Sequence, residues 1–160
     1  MTDFTIIVPI NNEEKNIPLL VERLDKLNIK HNYEVLFVDD GSIDASWSVI
    51  KKLNLINNKI KGISFSRNFG HQIALSAGID NCNGEFAIMM DGDLQHPPEH
   101  IPRMIELYES GQDVVQMVKE NQGKRSLIQK ISSYFFYTIF KKISGVKISN
   151  NVSDFRLISK

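Results

Sequence analysis

Short apolar runs alternate with segments of helical periodicity along most of the chain, and this alternation constrains the fold more than any other feature. Five runs rich in Val, Ile, Phe or Met have the length of buried strands. The predicted strands are Thr5–Val8, Glu34–Val38, Gly62–Ser66, Glu85–Met90 and Asp113–Val118. Strands that alternate with helices form parallel sheets, so we expect an α/β fold with a mostly parallel central sheet flanked by helices.

Three stretches between the predicted strands have apolar residues at helical spacing. These stripes are Ile17, Leu20, Val21, Leu24 and Leu27; then Trp47, Ile50 and Leu53; and finally Ile73, Ala74 and Ala77. Each stripe is expected to cover one part of the sheet.

Polar turns follow four of the predicted strands, and they define a candidate site. The turns are Asn11-Asn12, Asp39 to Ser42, Arg67 to Gly70 and Asp91 to Asp93. In an open α/β sheet the loops beyond the carboxyl ends of the strands form the ligand crevice. We therefore expect these four turns to meet at one edge.

The turn Asp91-Gly92-Asp93 ends a buried strand abruptly in two carboxylates. Residues two apart in extended chain project to the same side, so both carboxylates can face the crevice. Mg²⁺ or Mn²⁺ prefers such oxygen ligands and leaves positions for water and substrate phosphate. Gln95 is close enough in sequence to supply a further oxygen. The pattern predicts a metal site for a nucleoside diphosphate.

A second acidic turn follows the predicted strand Glu34–Val38. The carboxylate of Asp39 can accept hydrogen bonds from a base N–H or a ribose hydroxyl. We expect Asp40 to brace the loop instead, and Ser42 or Asp44 to cap the helix that carries Trp47.

Several classes of function are disfavoured by what the sequence contains. Lys plus Arg and Asp plus Glu are equal at 19 each, so no net charge favours nucleic acid. Neither G-x-G-x-x-G nor a P-loop follows the first strand, which argues against a dinucleotide-dependent oxidoreductase and a P-loop kinase. Cys82 is the only cysteine and fits a reducing compartment. No secretion signal and no membrane-spanning run is recognisable.

Taken in order, five blocks resemble family 2 glycosyltransferases, in particular dolichyl-phosphate mannosyltransferases and bacterial polyprenyl-phosphate (undecaprenyl-phosphate) glycosyltransferases. The blocks are Ile7 to Glu14, Phe37 to Ser42, Ser66 to Gln72, Met90 to Glu99 and Ser153 to Leu157. The resemblance covers almost the whole chain and implies a GT-A-type nucleotide-binding (Rossmann-like) fold.

The resemblance also implies roles for individual residues. Those expected around the nucleotide sugar are Pro9, Asn11, Glu13, Phe37, Asp39, Arg67, Asp91, Gly92, Asp93 and Lys119. The expected metal ligands are Asp91, Asp93 and Gln95, and the expected catalytic residues are Asp91, Asp93, Asp154 and Arg156. Asn11 stands where relatives commonly have tyrosine, and Lys119 stands where many have arginine, which keeps the charge without the bidentate fork.

The activity implied by the resemblance is inverting transfer of a sugar from a nucleoside-diphosphate sugar to a polyprenyl phosphate. A UDP-sugar is favoured and GDP-mannose is the second choice, with Mg²⁺ or Mn²⁺ as cofactor. Two alternatives stay open: a transferase that extends a polysaccharide or glycan, and an inactive module that only binds the nucleotide sugar.

We expect a single catalytic domain over residues 1–160, with a nucleotide-sugar-binding core over about 1–120. The segment 124–147 is aromatic-rich and amphipathic with basic flanks, and a helix there would either lie on a membrane surface or pack on the sheet. Residues 152–158 are expected to form a strand or loop on the acceptor side.

Relatives of the resembled family continue into membrane-spanning helices, so we expect a C-terminally truncated form. We expect it to lie peripherally on the cytoplasmic side of the cell membrane, and a homo-oligomer stays open.

Overall fold

The computed structural model describes residues 2–118 and 152–160. The chain divides into two compact units. The unit described here comprises Met1–Gln116 and Asp154–Lys160. Its centre is a six-stranded sheet with the order β3-β2-β1-β4-β6-β5. The strands are β1 (Phe4–Ile10), β2 (Tyr33–Asp39), β3 (Ile60–Ser64), β4 (Phe86–Met89), β5 (Val114–Val118) and β6 (Val152–Ser159).

The sheet is mostly parallel, as the sequence predicts. Strands β1, β2, β3 and β4 run parallel to one another, and β6 pairs antiparallel with β4. Every residue of β1, β2 and β4 is buried, which explains why these strands read as continuous apolar runs. The segment expected to be a strand or a loop after residue 151 is a strand in the structure.

Four α-helices connect the strands: α1 (Asn16–Asp25), α2 (Ser46–Ile56), α3 (His71–Asp80) and α4 (Ile101–Glu109), the last preceded by a 3-10 turn over Pro98–His100. The stripe on α1 is buried as predicted, although the helix ends before Leu27. The prediction for Ile73 is wrong, because its side chain is 51% exposed. The inner face of α3 is formed by Ala74 together with Leu75 and Gly78, which are buried.

Strand register brings the polar turns to one edge. Ile10 at the end of β1 pairs with Asp39, and Asp39 in turn pairs with Ser64 of β3. The turns that follow these strands therefore begin at the same level. Strand β4 ends at Met89, whose partner in β6 is Arg156.

Two predictions concern residues outside the part of the chain that the structure describes. These are the position of Lys119 and the amphipathic segment 124–147. Among the described helices, none combines the length and apolar character that crossing a bilayer requires.

Helix α3 lies very close to β1, and a glycine makes this approach possible. A Cβ atom built on Gly78 would lie 2.3 Å from Cγ2 of Ile7, which is fully buried in β1. The branched side chain of Ile7 packs in a core cluster with Ala74, Leu75 and Met89, so it has little room to move.

We predict that Gly78→Ala destabilises the protein although alanine favours helix. The added methyl overlaps the core, and overpacking outweighs the gain in helix propensity. The free energy of unfolding, measured by chemical denaturation, should fall by about 1 to 2 kcal/mol. Ser76→Ala on the exposed face of the same helix is the control and should change it by less than about 0.5 kcal/mol. Equal stability of the two variants would contradict the close approach.

Candidate functional site

The loop after β4 has a defined hydrogen-bonded shape. The backbone N–H of Asp91 donates to Nδ1 of His96 at 3.1 Å, and the N–H of Gln95 donates to Oδ1 of Asp93 at 2.9 Å. Leu94 between them has a φ of 64°. The loop therefore turns back on itself, so that the two carboxylates follow the buried strand directly.

Gly92 lets this loop lie against the end of β1. A Cβ atom on Gly92 would lie 2.4 Å from Cδ1 of Ile10. A side chain at this position would require either the end of the Ile10 side chain or the loop to shift. The glycine in the Asp-Gly-Asp triplet therefore serves packing beneath the loop, and a role in ligand access stays a prediction.

Pairing between β4 and β6 adds Asp154 and Arg156 to the same place. Nη2 of Arg156 lies 3.2 Å from Oδ1 of Asp154. Nε2 of His71, at the start of α3, lies 3.6 Å from Oδ1 of Asp91 and 3.6 Å from Oδ2 of Asp154. Three of the four predicted catalytic residues thus share one cluster with a histidine whose role the sequence left open.

A second histidine connects the two carboxylate segments. His96 is almost fully buried, and its ring stacks on Phe155 with a centroid distance of 5.5 Å and an interplanar angle of 21°. The same ring accepts the N–H of Asp91 through Nδ1. Sequence reasoning missed this role, and the only available signal was that both residues fall within the blocks of the family resemblance.

The residues present fit a divalent cation. Oδ1 of Asp91 and Nε of Arg156 are buried atoms without a hydrogen bond in the structure. Among the described residues, no group of three or more His, Cys, Asp and Glu side chains forms a ready metal cage. A site of this kind suits Mg²⁺ or Mn²⁺, which uses one or two carboxylates and completes its shell with water and phosphate oxygens.

Asp40 holds the loop before α3, as predicted for a bracing residue. Its buried carboxylate accepts the backbone N–H of Phe69 at 2.7 Å and that of Gly70 at 2.9 Å. These bonds fix the position at which α3 begins, and therefore the position of His71. Arg67 in the same loop is exposed, and its guanidinium lies 4.9 Å from the centre of the Phe69 ring.

Asp39 and Phe37 are both buried residues of β2. The carboxylate of Asp39 is 2% exposed and accepts the N–H of Ser42 and the hydroxyl of Ser64. Phe37 has no exposed surface, so its side chain is a core residue of β2, and its contact with the nucleotide stays a prediction. The apolar environment of a central strand explains its position. A nucleotide contact by Asp39 stays a prediction.

A small cavity of about 170 Å³ opens beside the cluster. It is lined by Pro9, Ile10, Asn11, Asp40, Asn68, Gly70 and His71. The amide of Asn11 donates to the carbonyl of Asp40 at 2.8 Å, so it helps to hold the first two loops together. Pro9 and Asn11 are therefore placed beside His71.

Other predicted residues lie around this centre with separate partners. The carboxylate of Glu13 accepts the side-chain amide of Asn16 at the entrance to α1. Asp44 accepts the N–H of Ser46 at 2.9 Å and thus caps α2, whereas the hydroxyl of Ser42 accepts the N–H of Asn12. Gln95 is exposed, and its role as a metal ligand stays a prediction.

A surface ion pair anchors the exit of the Asp-Gly-Asp loop. Arg23 of α1 holds Glu99 with two bonds, Nε to Oε1 at 2.9 Å and Nη2 to Oε2 at 2.6 Å. The hydrogen bond from this guanidinium lowers the pKa of the Glu99 carboxyl. The 3-10 turn that follows the loop is thereby tied to α1.

Comparison with known proteins finds relatives of this chain. Among sequence relatives, the bactoprenol glucosyl transferase of Shigella phage SfX is 38% identical over 158 residues, which are 98% of this chain and 52% of the relative. The chain spans about half the length of the curated relatives it matches.

Solved structures share the fold. One is S. aureus TarS in complex with UDP-GlcNAc, which is 26% identical and has a TM-score of 0.60. The match covers 78% of this chain and 37% of the TarS chain. Glucosyl-3-phosphoglycerate synthase from Mycobacterium tuberculosis, in complex with Mn²⁺, UDP and phosphoglyceric acid, has a TM-score of 0.67 at 16% identity and covers 99% and 56%. These likenesses confirm the GT-A-type fold.

The profile of the family described as Glycosyl transferase family 2 matches residues 5–160, which is nearly the whole chain. The motif blocks, the sheet order and the clustered carboxylates agree with that match. The chain therefore belongs to glycosyl transferase family 2.

Proposed function

We propose that this domain transfers a sugar from a UDP-sugar to a polyprenyl phosphate, with Mg²⁺ or Mn²⁺ bound at Asp91 and Asp93. The observation that carries the proposal is the convergence of Asp91, His71 and Asp154 at the carboxyl edge of the sheet. A donor-side carboxylate and an acceptor-side carboxylate then lie on either side of one reaction centre.

On the donor side, the turns after β1, β2 and β4 form the nucleotide site. Asn11, Asp39 and Arg67 are the proposed nucleotide contacts there, with Lys119 beyond the described residues. UDP is preferred because TarS, at 26% identity, binds UDP-GlcNAc; GDP-mannose is the second candidate. The sugar is then held near Asp91 and His71.

Asp91 and Asp93, with Gln95, are the proposed metal ligands. A bound divalent cation supplies positive charge where negative charge grows on the leaving diphosphate. The proposal is supported by the mycobacterial synthase, whose complex contains Mn²⁺. The hydrogen bonds of the loop, from Asp91 to His96 and from Gln95 to Asp93, hold the carboxylates in place before the ion arrives.

On the acceptor side, Arg156 and Asp154 orient an anionic phosphate. The guanidinium attracts the phosphate, and the paired carboxylate limits where that guanidinium can point. An acceptor phosphate oxygen bonds to C1 of the sugar while the C1–O bond to UDP breaks with its electron pair on the diphosphate. The acceptor is already anionic near neutral pH, so positioning supplies most of the catalysis and the configuration at C1 is inverted.

The lipid carrier is favoured over a glycan acceptor because a relative at 38% identity is a bactoprenol glucosyl transferase. An acceptor of this kind resides in a membrane, so the domain is proposed to work peripherally at the cytoplasmic face.

We predict that UDP binds in a manner that depends on Mn²⁺ and on the paired aspartates. Isothermal titration of UDP with Mn²⁺ should give saturable binding that weakens at least about tenfold in Asp91→Asn/Asp93→Asn, because the metal loses its charged ligands. Asp80→Asn, an exposed carboxylate at the end of α3, is the matched control and should bind normally. Equal binding by all three proteins would refute the metal site, and tighter binding of GDP would reverse the choice of base.

We predict that the sugar of a labelled UDP-sugar becomes extractable into organic solvent when a polyprenyl phosphate and Mn²⁺ are present. Asp154→Asn should lower the rate by about 100-fold or more while UDP binding changes little, because the residue acts on the acceptor side. Label that stays in water with a glycan acceptor would support the glycan alternative. Bound UDP without any lipid-linked product would contradict lipid transfer and leave the binding site standing.

We predict that His96 positions Asp91 through its ring nitrogen. His96→Phe keeps a ring beside Phe155 but removes the acceptor for the Asp91 N–H, so Mn²⁺ affinity in the presence of UDP should fall about three- to tenfold. His96→Asn retains an acceptor atom near Nδ1 but loses the stacked ring, so it should bind Mn²⁺ better than His96→Phe. The reverse order would show that ring stacking, and not the hydrogen bond, holds the loop.

A further inference from the structure

Charge is distributed very unevenly along this electrically neutral chain. Between Asp44 and Asp80 there are four lysines and one arginine but no Asp or Glu, so the remainder has five more acidic than basic residues. This segment forms α2, the edge strand β3 and all of α3 except its last residue. One edge of the sheet is therefore selectively basic.

A groove between α2 and β3 runs along this basic edge. We name it the α2–β3 groove, and its volume is about 490 Å³. It is lined by Trp47, Ile50, Lys51, Asn54, Leu55, Lys61 and Gly62. The amide of Asn54 donates to the carbonyl of Ile60 at 2.5 Å and ties the end of α2 to the strand. The groove thus combines an apolar lining with two lysines.

Large apolar side chains are exposed near the groove instead of being buried. Leu55 is 84% exposed and Ile56 is 82% exposed, although both belong to the last turn of α2. Lys51 lies four residues before Leu55 and shares its face of the helix. Lys52 lies four residues before Ile56 in the same way. Exposed aliphatic residues interleaved with lysines, together with a tryptophan, are typical of surfaces that enter the headgroup layer of a bilayer.

We propose that the α2–β3 groove is a docking surface for an anionic phospholipid bilayer, in addition to the reaction centre. Lys51 and Lys61 would meet the lipid phosphates, and Leu55 with Trp47 would contact the upper acyl chain. Charge complementarity favours this occupant over a second copy of the chain. A symmetric dimer would set the same basic patches against each other, which is unfavourable.

The inference rests on this surface alone and does not depend on the proposed reaction. None of the residues that line the groove is among the proposed donor, metal or acceptor residues. Loss of lipid binding and loss of UDP binding can therefore be separated experimentally.

Trp47 is the only tryptophan in the chain, so its fluorescence reports on the groove itself. The whole chain is titrated with vesicles of phosphatidylcholine alone and with vesicles that contain equal amounts of phosphatidylcholine and phosphatidylglycerol. We expect a blue shift of Trp47 emission only with the anionic vesicles, and quenching when their acyl chains carry bromine. Lys51→Glu/Lys61→Glu should require about tenfold more lipid for the same shift.

The matched control is Lys26→Glu/Lys30→Glu, which makes the same charge change in the segment between α1 and β2 and should titrate like the unaltered chain. Unchanged melting temperature and UDP binding in Lys51→Glu/Lys61→Glu would show that this variant is folded. Vesicle binding with constant Trp47 emission, an equal shift with neutral vesicles, or no binding at all would overturn the proposal. A blue shift that grows with protein concentration in the absence of lipid would assign the groove to a second copy instead.

Discussion

The antiparallel pairing of β6 with β4 is the interaction on which the proposed reaction centre depends. Strand β4 ends in the Asp-Gly-Asp loop, and its last residue pairs with Arg156. A strand from the far end of the chain thereby brings Asp154 beside Asp91, although the two residues are far apart in the sequence. Without this pairing, the parallel strands alone would provide the proposed nucleotide site but not the proposed acceptor residues Asp154 and Arg156.

Clustered carboxylates carry an electrostatic cost that the surrounding structure reduces. The fold holds the carboxylates of Asp91 and Asp154 close together. Two negative charges in a partly buried site repel each other, which disfavours the ionised form of both groups. Arg156 pairs with Asp154, and His71 lies between the two carboxylates. The remaining unbonded oxygen of Asp91 is what a cation would satisfy. The proposed cation would therefore offset negative charge that the fold concentrates at this edge of the sheet.

Rigidity in this region comes from bonds that tie one loop to the next. Asp40 fixes the loop before α3, Asn11 bonds to the backbone of Asp40, and His96 joins the Asp91 loop to Phe155. Each of these side chains acts on backbone or on another side chain. The arrangement ties these loops together in the absence of a ligand, which would lower the entropy cost of positioning the proposed substrates.

The sequence by itself determined the α/β class, the mostly parallel sheet, three buried helix stripes in outline, and the four polar turns at one edge. Apolar runs and helical spacing are local signals, so they can be recognised without tertiary contacts. They placed Ile73 on the wrong face of α3, because a glycine at position 78 and not an aliphatic residue sets how that helix meets β1.

The family resemblance named Asp91, Asp93, Asp154 and Arg156, but it gave no distance between them. Only the tertiary structure decided that Phe37 belongs to the core, that His71 and His96 join the cluster, and that β6 inserts antiparallel beside β4. These facts depend on contacts between residues far apart in the chain, and no local pattern of side chains records which strand becomes the neighbour of another.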